Sequence, residues 1–223
     1  THAPSILKRV APEQIRYLRL GTDRQAIISY IKLPDENDEA HKFVRQAVQA
    51  YPEVYFSRLV VLGEGDSEEI VIPKLLEVKG IPADENAITI APLGGRHVNH
   101  FWRLLTGLGI PYITLLDLDL ARHQGGWGRI NYVNNQLSNY RPNDILTPEN
   151  YIPKWNDSDN LFRETKNYID YFESKGIFFS YPLDLDFSML YSFQAAFAAE
   201  TETPTESTIK AVLGKSYFDS TQY

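Results

Sequence analysis

Leu59-Val60-Val61-Leu62-Gly63-Glu64-Gly65-Asp66-Ser67-Glu68 decides the fold of this chain. Its apolar half predicts a buried strand, and its second half turns through two glycines into a helix beginning near Asp66. Helical spacing continues from Ser67 to Lys79, with Ile70, Val71, Leu75, Leu76 and Val78 apolar. A second strand is predicted at Ala87 to Ala91 and a helix at Gly95 to Leu108. A third strand, Tyr112 to Leu116, runs into Asp117-Leu118-Asp119. Strand and helix alternate three times, which predicts an α/β fold with a parallel sheet flanked by helices. Such sheets take ligands outside the carboxyl ends of their strands. Both acidic clusters, Glu64 with Glu68 and Asp117 with Asp119, fall at that edge.

Outward from this core the pattern changes. Gln14 to Leu20 alternates like a half-buried strand, and Ala26 to Ile31 is able to pair with it. Asp38 to Tyr51 has helical spacing, with Phe43, Val44, Ala47 and Val48 on one face, and Pro52 ends it. After Asp119 the chain is rich in Gly, Asn and Pro as far as Asn160, with a helix expected from Ile130 to Tyr140. A further helix is expected from Leu161 to Lys175, closed by Gly176, and then a strand at Ile177 to Tyr181. A last helix is expected from Asp186 to Glu200, capped by Asp186 or Ser188. The resulting division is a leader over 1–36, a first core part over 37–120, a mostly helical insertion over 121–176 and a last core part over 177–223.

With 223 residues, 43% of them hydrophobic, the chain has ample material for a core. It has no cysteine, which excludes disulfides, thiolate zinc sites and a cysteine nucleophile. That absence fits a reducing compartment such as the cytoplasm. No run of about 18 apolar residues occurs, so no membrane span is expected. The net charge of −7 speaks against a broadly basic nucleic-acid-binding surface. Acids that bind a cation reverse that local field, so the charge does not exclude a phosphate substrate.

Carboxylates at the ends of buried strands are costly unless a positive group meets them. Glu64 and Glu68, four residues apart around a helix start, are able to point at one spot beyond the strand. Asp117 and Asp119, two apart at a strand end, are able to share or bracket a hard cation. Mg2+ or Mn2+ suits such all-carboxylate ligation, with Ca2+ as a non-catalytic substitute. Two such ions, about 3.5–4 Å apart, clamp the attacking and leaving oxygens of a phosphodiester. Each cluster alone is also an ordinary helix start or turn. Their joint placement on one sheet edge is what favours a site.

These residues carry a family resemblance. Leu62 to Glu68, followed by a strand ending in Asp117-Leu118-Asp119, resembles the Toprim domain, a Rossmann-like fold. The run Asp117 to Arg129 sharpens the resemblance towards the nuclease half of the OLD family (overcoming lysogenization defect). The resemblance covers about residues 58–215. It departs from the family pattern at Gly63, where a larger residue is usual, and at Glu68, where primases have Asp. It implies a two-metal DNA endonuclease in which Glu64 serves as ligand or general base. Thr1-His2-Ala3-Pro4-Ser5 resembles the end of the family's N-terminal ATPase, and no Gly-x-x-x-x-Gly-Lys-Ser/Thr motif occurs. The resemblance therefore implies the C-terminal part of a longer chain whose ATPase domain is a partner, with this part by itself a monomer.

A third acidic motif, Leu183-Asp184-Leu185-Asp186, echoes the second. One of Asp184 and Asp186 is expected to hold metal and the other to cap a helix. Lys215 resembles the family's lysine near the scissile phosphate, where it would neutralise charge in the transition state; the alternative is a solvated helix-end lysine. Arg122, His123 and Arg129 border a Gly-rich loop and are candidate DNA contacts. Trp127 offers either a ring to stack on a base or an anchor for the insertion. His97 and His100 offer either a metal pair or packing beside Trp102. Two rival functions stay open. One is another Toprim reaction, primer synthesis or strand passage, which would need a presented tyrosine. The other is a non-catalytic, metal-stabilised module that docks DNA or an ATPase.

Overall fold

The structure is a computed structural model that describes residues 3–32, 41–42, 45, 49–92, 98–120, 122–146, 152, 161–198 and 205–213; for 161–165, 212 and 213 it describes the backbone alone. The chain divides into two compact units, Thr1–Thr114 and Leu115–Tyr223.

The first unit opens with a short helix, α1 (Pro4–Leu7), and an antiparallel hairpin of β1 (Arg16–Leu20) and β2 (Ala26–Tyr30). The hairpin pairs Arg16 with Tyr30 and Leu20 with Ala26. The two segments pair as expected, but the first is not half-buried: Leu18 is 62% and Leu20 72% exposed. Most of the helix expected over Asp38 to Tyr51, with all four of its apolar residues, lies outside the described residues. A 3-10 turn, Pro52–Phe56, leads into β3 (Leu59–Gly63). Then follow α2 (Asp66–Val78), β4 (Ile88–Pro92), α3 (Val98–Leu108) and β5 (Tyr112–Asp117). β4 and β5 both run parallel to β3, with Val61 opposite Ile90 on one side and Ile113 on the other. A strand flanked on both sides and covered on both faces must be apolar throughout, and Val60, Val61 and Leu62 are all buried.

α3 shows how the first unit is locked. Its apolar stripe buries Phe101, Trp102, Leu104 and Leu105. Trp102 is fully buried, and its indole Nε1 donates to Thr114 Oγ1 on β5 at 2.8 Å. Trp102→Phe removes that donor, leaves the fully buried Thr114 hydroxyl without it and opens a small void. We expect it to cost about 2 kcal/mol. The corresponding fall in Tm is about 6 °C, read by thermal unfolding. An unchanged Tm would show that the bond is not part of the packing.

The second unit holds the end of β5 followed by α4 (Trp127–Tyr140), a 3-10 turn (Pro142–Asp144) and α5 (Leu161–Glu173). After these come β6 (Ile177–Ser180), α6 (Leu185–Ser192), the short α7 (Gln194–Phe197) and α8 (Glu206–Leu213). α4 packs on α5, and α5 packs on β6. Trp127, Ile130, Leu137, Phe172 and Ile177 form the interior of this unit. The four-stranded sheet runs in the order β4-β3-β5-β6. This is the α/β fold with a parallel sheet and flanking helices that the alternation predicts. The chain order reverses about β3, as in doubly wound sheets.

One element departs from expectation. The last helix does not run from Asp186 to Glu200 but starts at Leu185 and stops at Ser192. Its N-cap is Asp184, not Asp186 or Ser188, because the Asp184 carboxylate accepts the Phe187 N–H at 2.7 Å. Phe193, at φ −128° and ψ 46°, leaves the helical region and ends it.

Candidate active site

The first acidic cluster is built by the turn between β3 and α2. Gly65 is the N-cap of α2, and its N–H donates to Glu68 Oε2 at 2.7 Å. Glu68 thus closes the helix start in the manner of a capping box. It is only 3% exposed. Glu64 lies in the turn itself and is half-buried. A Cβ on Gly63 would sit 2.4 Å from Glu68 Cβ and 2.6 Å from Cγ. Glycine at 63 is therefore the condition for Glu68 to fold back over the strand end, which accounts for the small residue where the family pattern has a larger one.

The second cluster follows β5. Asp117 is the last strand residue, is half-buried, and has its Oδ1 atom shielded from solvent. Asp119 is not on the strand. It sits at φ 53° in the left-handed region, which Asp tolerates better than most residues. The simple alternation that puts Asp117 and Asp119 on one side of a strand thus stops at Asp117. The main chain of this turn is held from β6 and the turn after it. Leu118 N donates to Ser180 O, Asp119 N to Leu183 O and Leu120 N to Pro182 O, at 2.9–3.0 Å.

The Asp119 side chain is 8% exposed as a residue and meets two arginines. Arg122 Nη1 donates to Oδ1 at 2.6 Å, and Arg129 donates to Oδ2 through Nε at 3.1 Å and Nη2 at 2.5 Å. Arg122 also reaches Asp184 Oδ2 at 2.9 Å, so one guanidinium bridges the second and third acidic motifs. Burial opposes its charge, but Asp184 and Asp119 together outweigh that and raise its pKa above the ordinary arginine value. Arg122 and Arg129, read from sequence as DNA contacts, are thus turned onto carboxylates. His123 is exposed beside them.

Asp184 both caps α6 and takes Arg122, while Asp186 is exposed in the first turn. Trp127 is buried, edge-on to Tyr168 with ring centroids 5.1 Å apart, so it anchors the core and is not placed to stack on a base. His100 is half-buried in α3. Lys215 and His97 lie outside the described residues. Among the described residues, no group of three or more Asp, Glu and His side chains is gathered to hold a metal. The Asp119–Arg122–Asp184 bridge is the feature that sequence reasoning missed. Its only linear signal is Asp119 three residues before Arg122, the spacing of a turn-closing ion pair.

A parallel sheet of this order, with a Gly-Glu-Gly turn after β3 and Asp117 closing β5, defines the Toprim class of α/β domain. Residues 55–119 match the family model described as "Overcoming lysogenization defect protein-like, TOPRIM domain". The matched residues run from the turn before β3 to the turn after β5. It is 29% identical over 129 residues to Endonuclease GajA of Bacillus cereus (strain VD045), a match that covers 57% of this chain and 22% of that protein. The chain thus spans under a quarter of the length of that curated relative. Among solved structures it is similar to the C-terminal region of the Xanthomonas campestris pv. campestris OLD protein, at 25% identity, TM-score 0.45 and coverage of 75% of this chain and 72% of that one. It is also similar to the C-terminal region of the Burkholderia pseudomallei OLD protein, at 20% identity, TM-score 0.45 and coverage of 74% and 75%. No helix among the described residues is long and apolar enough to cross a membrane.

Proposed function

We propose that this chain is the catalytic part of a divalent-cation-dependent DNA endonuclease, joined in its full-length protein to an ATPase domain. The OLD-like Toprim match over 55–119, which contains Glu64, Glu68, Asp117 and Asp119, carries the reading. The relative named as an endonuclease supports it. The donor chemistry fits Mg2+ or Mn2+, because every candidate ligand is a carboxylate and the chain has no cysteine. Glu64, Glu68, Asp117, Asp119, Asp184 and Asp186 are the proposed ligands.

Two bound cations would supply a water of lowered pKa and screen the charge of the leaving oxygen. The chain's own residues prepare that chemistry. The Gly63 and Gly65 backbone lets Glu64 and Glu68 lie close to the strand end. The Gly65 N–H fixes the Glu68 carboxylate. Arg122 and Arg129 neutralise Asp119 and Asp184, so cation binding at those two acids competes with the guanidinium groups. Lys215 is proposed to neutralise charge developing on the phosphate.

Incubated with supercoiled plasmid and Mg2+ or Mn2+, the wild-type chain is expected to nick DNA. Glu64→Ala is expected to lose this by about 100-fold or more, in line with removing a group essential to acid–base or metal chemistry. Full activity in Glu64→Ala, or cleavage that persists in EDTA, would sink the reading. A covalent protein–DNA adduct would turn it towards strand passage.

A further inference from the structure

The turn that carries Asp184 has a second side, and it is aromatic. Tyr181, Pro182, Phe187, Ser188, Tyr191 and Ser192 line a cavity of about 450 Å3. Phe187 and Tyr191, four residues apart on α6, present rings stacked at 18° with centroids 6.3 Å apart. Tyr191 is 72% exposed and Tyr181 is 49% exposed. Ser188 Oγ donates to Asp184 O at 2.9 Å, so the cavity wall is tied to the capping residue that takes Arg122.

We infer that this cleft takes an unstacked nucleobase, and hence that the chain prefers single-stranded or locally opened DNA. A flat aromatic floor with hydroxyls at its rim binds a π-face regardless of sequence. Inside a duplex, base faces are already stacked and out of reach. The inference rests on the nuclease reading for its substrate, but its test does not.

Binding of fluorescent oligothymidine and of a duplex hairpin of equal length is measured by anisotropy, with the whole 223-residue chain in Ca2+, the non-catalytic substitute, so that the acids are screened and no cleavage intervenes. The expected result is tighter binding of oligothymidine. Tyr191→Leu weakens that binding about tenfold and leaves duplex binding unchanged, while Tyr191→Phe stays within about twofold of wild type. Because Tyr191 is so exposed, the Tm of both variants should match wild type. Equal affinity for the two DNAs, no oligothymidine binding, or an unaltered Tyr191→Leu overturns the inference. If Tyr191→Leu acts as expected but wild type nicks nothing with Mg2+ or Mn2+, the cleavage reading falls and the cleft stands. If wild type nicks and Tyr191→Leu binds oligothymidine as wild type does, the cleft falls and the cleavage reading stands.

Discussion

Gly125→Ala is expected to lower the Tm by about 10 °C and, on the proposed nuclease reading, to abolish nicking together with it. A Cβ at this position would lie 1.7 Å from Asp119 O, 2.6 Å from Asp119 C and 3.1 Å from Arg122 O. All three are backbone atoms, so no rotamer change relieves the clash. The turn must open, and with it go Gly125 N to Arg122 O at 2.9 Å and Gly126 N to Leu118 O at 2.7 Å. Steric overfilling at a rigid backbone site costs about 3–5 kcal/mol, the large end of single-substitution effects. For a chain of this length that is about 10 °C. Thermal unfolding in EDTA checks the stability arm. A Tm within 2 °C of wild type would mean that the turn is not held as described.

Asp119→Ala is expected to cost about 2–3 kcal/mol even without metal, or about 8 °C in Tm. The carboxylate is shared by Arg122 and Arg129, whose side chains are 31% and 25% exposed. Removing it leaves two partly desolvated guanidinium groups crowded about an empty place. The penalty is below that of a fully buried pair, because water still reaches both arginines. Asp119→Asn should recover part of the loss by accepting hydrogen bonds without the charge. Since the pairs are partly shielded, the effect should survive 0.5 M salt. If Asp119→Ala is as stable as wild type in EDTA, Asp119 has no structural role, and any loss of cleavage is then due to cation or substrate binding alone.

The parts of the fold that were legible in sequence are those written in local pattern. Leu59 to Leu62 is apolar on both faces, and that alone marks a central parallel strand. The helix start near Asp66 is legible in the same way, although the use of Glu68 to cap it through the Gly65 N–H is seen only in the structure. The failures lie where partners are distant. Arg122 and Arg129 look like cations awaiting phosphate because linear order offers only the Asp119–Arg122 spacing, and nothing in it brings Asp184 to Arg122 or Arg129 to Asp119. Trp127 is equally ambiguous until Tyr168 is set edge-on against it. The end of α6 was illegible for another reason. Gln194, Ala195 and Ala196 are good helix formers, so propensity favours continuing past Ser192, and the break at Phe193 opposes it. The same limit holds for the site. The acids at strand ends are visible as pattern, but whether each turns to a cation or to an arginine depends on residues far along the chain.

The bonds from Leu118, Asp119 and Leu120 to Ser180, Leu183 and Pro182 also order events in time. During synthesis, β3, α2, β4 and α3 leave the ribosome before the second unit does and can assemble from nearby partners. The Asp119 turn cannot close then, because its acceptors belong to a strand and turn made some sixty residues later. Closing so long a loop is slow compared with local helix and hairpin formation. An emerging chain therefore carries the Glu64 and Glu68 turn well before it carries an ordered Asp119 turn.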